Sequence, residues 1–136
     1  MRKAGLISIL LLGGCFGHTG IRPLRPLEIP LAPYREVATT ALTGSLMYEG
    51  GCLLFHDEQS GAILMPVWPA GTTFNGSAVL FHQPAKADQW VTVAQEFLMY
   101  GQPLQWPTLG APTYQPFHQE CGAYRPFFVT SVRPAN

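Results

Sequence analysis

The sequence predicts an all-β domain, a small antiparallel barrel or a sandwich of six to seven short strands. Three observations predict it. The 14 glycines and 13 prolines are scattered along the 136 residues as punctuation, which suits short strands joined by turns. Runs rich in β-branched and aromatic residues recur about every ten residues, the spacing of a sandwich or barrel. No stretch after residue 39 offers a convincing amphipathic helix. Hydrophobic residues make up 47% and charged residues 12%. The charged share is half the usual one-quarter, yet a chain this apolar can bury a core and need not be disordered.

The strands follow in order. Thr40–Tyr48 alternates well enough for a first strand, and Glu49-Gly50-Gly51 is a hairpin turn. "CLLFHD" is the second strand and "DEQSG" the next turn. "AILMPVW" is the third, with Pro66 marking an edge or strand end. "WPAGTTFNG" is a connection. "SAVLFH" is a fourth strand, "QWVTVA" a fifth and "EFLMYG" a sixth, with a tight turn near Gln95. Over residues 86–101 a helix competes, since Trp90, Val93, Phe97 and Leu98 share a helical face. Val91-Thr92-Val93 favours the strands. Residues 101–120, with prolines at 103, 107, 112 and 116, form a long loop of the kind that carries function. "YRPFFVTSV" is the last strand. Among closed arrangements, an OB-like barrel is the first choice, because closure removes exposed edges.

Ahead of this domain the chain changes character. Arg2 and Lys3 form a positive n-region, Ala4–Leu12 an apolar h-region, and Gly13-Gly14 small residues before a cleavage point. The apolar run is too short to span a bilayer, which takes about 20 residues. Leu12–Cys15, "LGGC", resembles the lipobox of bacterial lipoproteins. The resemblance implies removal of residues 1–14, diacylglycerol on the Cys15 sulfur and acylation of the new N-terminus. More than one acyl chain gives stable anchoring. Phe16 follows the cysteine where an Asp would imply retention in the inner membrane, so by resemblance the destination is the periplasmic face of the outer membrane. Residues 15–38 then form a proline-rich tether, with prolines at 23, 26, 30 and 33. Such a segment is extended. It either holds the domain away from the lipid or, given Leu24, Leu27, Ile29 and Leu31, lies along the domain and covers a sheet edge. Residues 39–136 are the barrel.

With Cys15 committed to lipid, Cys52 and Cys121 remain as an even pair in an oxidising compartment, and a disulfide between them is expected. It would pin the last strand and bound the long loop. The alternative, a redox-active or metal-binding pair, lacks a CxxC spacing. The positions Gly44, Leu46, Gly51, Cys52, Leu53, Pro66, Trp68, Pro69, Gly71 and Cys121 are similar to a pattern in small bacterial extracytoplasmic proteins of unassigned function. That resemblance implies a secreted β-domain with a cysteine pair and no particular activity.

Composition and motifs argue against several functions. Eight Lys/Arg balance eight Asp/Glu, and no basic stripe exists for nucleic acid. His56, His82 and His118, with Met47, Met65 and Met99, are suitable ligand types for a metal- or small-ligand-carrying protein, but none falls in a metal-ligand spacing. No GxSxG elbow accompanies the serines. Asp57-Glu58 sits in a turn, where a solvated loop is the simpler account than an acid/base pair. No cofactor and no catalytic residue is implied. Trp68, Trp106, Tyr114 and Phe117 are the candidate ligand or partner surface. They either stand exposed or pack down over a barrel end, with Trp68 stapling a turn. The expectation is a non-catalytic envelope protein, an accessory or a small binding module. Its partners are the membrane, through Cys15, and a protein of the envelope.

Overall fold

The computed structural model describes residues 21–135. The leader, the lipobox and Cys15 lie outside the described residues. Five strands form the body: β2 (Thr40–Glu49), β3 (Cys52–Asp57), β4 (Ile63–Pro69), β8 (Glu96–Pro103) and β9 (Arg125–Pro134). Strand β2 pairs with β3 and with β8, β3 with β4, and β8 with β9. Pairing of β4 with β9, from Leu64↔Arg125 to Val67↔Phe128, closes the ring. In chain order, the third ring strand meets the fifth and the fourth returns beside the first. This is a five-stranded Greek-key ring of the OB type.

The β4–β9 pair is parallel, so the barrel is mixed rather than wholly antiparallel. Geometry requires this. A closed ring with an odd number of strands cannot alternate direction all the way round. A short strand β1 (Leu31–Ala32) also runs parallel to β4, opposite Trp68 and Pro69. Pro66 therefore lies inside β4 but at a local edge of it, with β9 as a ladder partner on one side and none on the other. It comes after the last β3 pairing, Phe55↔Leu64, where β4 exchanges β3 for β9 as its neighbour.

The connection from β4 to β8 folds into a second, three-stranded sheet of β5 (Thr73–Phe74), β6 (Ala78–Phe81) and β7 (Gln89–Thr92). The strand expectation over 86–101 holds against the helix. The chain turns at Ala94, whose φ is 70°, between β7 and β8. The expected long loop is shorter and more ordered than the prolines imply. Strand β8 runs on to Pro103, and two 3-10 turns (Trp106–Thr108 and Pro112–Tyr114) lead into helix α1 (Gln115–Cys121). Each of these three starts with a proline at its first or second position, where the missing N–H costs nothing.

Alternation along the strands builds two apolar layers. Leu46, Leu53, Phe55, Trp68, Phe97, Met99, Phe127 and Val129 face inward. The second sheet adds Phe74, Val79, Phe81 and Val91 to this same core. The opposite faces of β3, β4 and β9 present Cys52, Leu54, Met65, Val67 and Phe128, which pack outside the ring with Phe117 and Cys121. Strands buried on both faces read as continuous apolar runs, as "CLLF" does. Two glycines let the ring close tightly. A Cβ at Gly44 would fall on the His56 carbonyl oxygen, and one at Gly101 on that of Phe128. Gly101 also lies at the bulge in the β8–β9 ladder.

The Cys52–Cys121 disulfide is present, with Cα atoms 6.0 Å apart. It ties the end of α1 to the start of β3. A structural disulfide of this kind belongs to an oxidising, extracytoplasmic compartment. Among the described residues, no helix is long and apolar enough to cross a membrane.

Candidate functional site

The proline-rich segment lies along the domain, the second of its two expected courses. Within residues 21–38, Ile29 is buried in the barrel core and Leu24, Ala32 and Val37 pack on the outer layer. The Trp68 amide donates to the Pro30 carbonyl and the Ala70 amide to that of Ala32. The folded unit therefore begins well before residue 39, and these residues form a strap rather than a spacer. Pro30 and Pro33 keep the strap extended where it passes β4.

Strap and loop meet to make a groove of about 570 Å³. Ala32, Pro33, Tyr34 and Arg35 supply one wall. Leu104, Gln105, Thr108, Leu109 and Tyr114 supply the other, and Phe128 of β9 lies between them. Both walls are fixed. The Tyr114 hydroxyl donates to the Leu31 carbonyl at 2.8 Å, locking loop to strap. The Leu104 amide donates to Pro126 O at 2.9 Å, and the Trp106 indole N–H to Tyr124 O at 2.9 Å. Trp106 also stacks on His118, with ring centroids 4.5 Å apart and planes within 6°. Burial pushes the Tyr114 phenol above its ordinary pKa against the opposing pull of Arg35, so at neutral pH it remains a donor. The Arg35 guanidinium lies 5.5 Å from the centre of the Phe128 ring, within cation–π range.

The four aromatic residues expected to form one surface separate. Trp68 is fully buried in the barrel core, edge-on to Phe81, so it is a core residue and not a surface one. It alternates inward from Val67, which faces the outer layer. Phe117 is also buried, in the outer layer beside the disulfide. With Pro116 and Cys121 it forms the buried face of α1. Trp106 and Tyr114 are half-buried on that same layer. Only Tyr114 of the four lines the groove. Tyr34 and Arg35 do not stand out in the sequence, since nothing before folding brings them to face Leu104 and Tyr114. An aromatic–basic pair just after the last strap proline was the available signal.

The histidines go to separate places. His56 is on the exposed side of β3, His82 pairs with Asp88 at 2.9 Å, and His118 stacks on Trp106. Met65 and Met99 are fully buried, one in each apolar layer. Among the described residues, no three His, Cys, Asp or Glu side chains converge to hold a metal ion. Asp57 is buried and caps its own turn, accepting from the Gln59 amide and the Ser60 hydroxyl. No protein family, curated protein or solved structure matches this chain.

Proposed function

We propose that this chain is a lipid-anchored protein of the bacterial cell envelope, a non-catalytic binding module held at the periplasmic face of the outer membrane. On this reading residues 1–14 are removed and Cys15 carries the acyl chains. The observation that carries it is a conjunction. A leader ending in "LGGC" precedes a domain closed by a disulfide, the bond of an oxidising compartment. The groove between strap and loop supports binding as the task. Its lining supplies apolar side chains, amides, phenols and one guanidinium, which are groups that hold and orient a ligand.

The test is intact-mass analysis of the full chain expressed in a Gram-negative host and extracted from its membranes. The expected species starts at Cys15, carries three acyl chains and has Cys52 and Cys121 joined. Cys15→Ser is expected to keep residues 1–14 and lose the acyl mass. Wild-type protein recovered from the soluble fraction with Met1 in place would overturn the proposal.

A further inference from the structure

A second groove, of about 450 Å³, continues the first. Tyr34 lines both. The strap runs from Ala32–Arg35 in the first to Glu36–Thr39 in the second. Strand β9 likewise runs from Phe128 to Thr130–Pro134. The two thus adjoin as a trough in two compartments that meet at Tyr34. Its ends differ in chemistry. The first is walled mainly by Pro33, Pro103, Leu104, Leu109 and aromatic rings. The second is polar, with Gln83, Lys86, Gln89, Ser131 and Arg133. Gln83 is buried and donates to the Tyr34 hydroxyl at 3.3 Å, fixing the ring that stands between the two ends.

Charge is gathered here unevenly. Three of the chain's eight Lys/Arg side chains line the trough, Arg35, Lys86 and Arg133, against one of its eight Asp/Glu, Glu36. All three cations are exposed, and none is in a salt bridge among the described residues. The rest of the described surface is correspondingly acidic. An anion in the polar end meets Lys86 and Arg133, the latter 5.4 Å from the centre of the Tyr100 ring and without a carboxylate partner among the described residues, with Arg35 at the junction.

We infer that the trough binds an anionic amphiphile, its alkyl chain in the Leu104–Leu109 end and its phosphate or carboxylate head among Arg35, Lys86 and Arg133. The inference rests on the reading of the groove as a binding site and names the class of ligand it takes. It does not depend on acylation of Cys15.

Photo-crosslinking of the full chain in isolated envelopes tests it. The probes are a dodecyl phosphate, a dodecanoate and an uncharged dodecyl glucoside, each with a diazirine in the alkyl chain. At least one anionic probe is expected to give adducts in 32–37 and 102–109, and comparison of the two identifies the preferred head. Lys86→Gln/Arg133→Gln should weaken that labelling about tenfold, the loss of two exposed charge contacts, and leave glucoside labelling unchanged. Both substitutions are at exposed positions, and retention of the disulfide by mass checks that the variant is folded. Equal labelling by the glucoside would overturn the anionic class while leaving the groove a binding site. Adducts confined to other segments, or none, would overturn the trough as the site. Labelling insensitive to the double substitution would overturn the role of the cations.

Discussion

The inner and outer apolar layers of this molecule are built by different means. The inner core comes almost wholly from alternate residues of the ring strands and the second sheet, with Ile29 of the strap added, and regular ladders hold it together. The outer layer joins strand faces to two distant pieces, the strap and the β8–β9 loop. Those pieces supply short turns, one helix of 7 residues and extended chain. Seven residues are too few to make a stable helix alone. The outer layer therefore needs fasteners, and it has them in the disulfide, the Trp106 and Tyr114 hydrogen bonds and the Trp106–His118 stack. The candidate groove lies on the fastened side. A closed ring forms the body, and the groove lies where two added segments meet over it.

The largest effect that would test this contrast is a pair of truncations. Phe55 is wholly buried and meets Phe97 edge-on, with centroids 5.4 Å apart. The closed ring around it cannot collapse into a void, so Phe55→Ala should cost about 5 kcal/mol, the upper end for an aromatic core residue. Phe117 lies under a short helix that can settle inward, so Phe117→Ala should cost about 3 kcal/mol. Urea unfolding of both variants measures the difference. Equal losses would mean that the outer layer is packed as firmly as the ring.

The next effect concerns the disulfide. It closes a loop with a sequence separation of 69, worth about 4 kcal/mol through the entropy of the unfolded chain. Cys52→Ala/Cys121→Ala should lower unfolding stability by that amount. It should also raise hydrogen exchange over 104–124 more than in β2 or β8. A uniform rise across the ring and the loop would show that the bond acts on the unfolded chain alone and fastens nothing locally.

The same contrast explains what could be read from sequence. The ring strands were legible because their pattern is local: "CLLFHD" and "EFLMYG" alternate or run apolar over a few residues and end at turn residues. The closure of β4 on β9 was not, because it joins segments some sixty residues apart and no local pattern encodes which strands complete a ring. Helix α1 was hidden by Pro116, which reads as a loop residue until it is seen at the start of a helix. Trp68 was ambiguous because "WPAG" combines a turn signal with an inward-facing strand position. Of the groove, only Tyr114 is a candidate on sequence alone. Tyr34 and Arg35 gain meaning from the strap's course, which the prolines make extended but do not aim.

The smallest effect distinguishes the two regions by the sign of a pH dependence. On the strap, the Arg22 guanidinium hydrogen-bonds Glu28, and the Arg25 amide adds a bond at 3.1 Å. Against the opposing effect of burial, these hold the Glu28 carboxyl below its ordinary pKa. A folded-state value below the unfolded one gives stability that is present above the unfolded value and lost as pH falls through the folded one. At the turn joining β3 to β4, Glu58 is affected oppositely. Slight desolvation and then the neighbouring Glu96 carboxyl raise the Glu58 pKa against the opposing pull of His56. That contribution is present below the unfolded value and lost as pH rises through the folded one. From acid to neutral pH, exchange protection of the Glu28 amide, which donates to Arg25 O, should rise. Protection of the Glu58 amide, which donates to Thr43 O, should fall, both after correction for the intrinsic exchange rate. Glu28→Gln should flatten the first trend without touching the second, and Glu58→Gln the reverse. If both amides followed one trend, strap and ring would be opening together as a single unit. The strap would then be part of the barrel's cooperative fold rather than a wall laid against it.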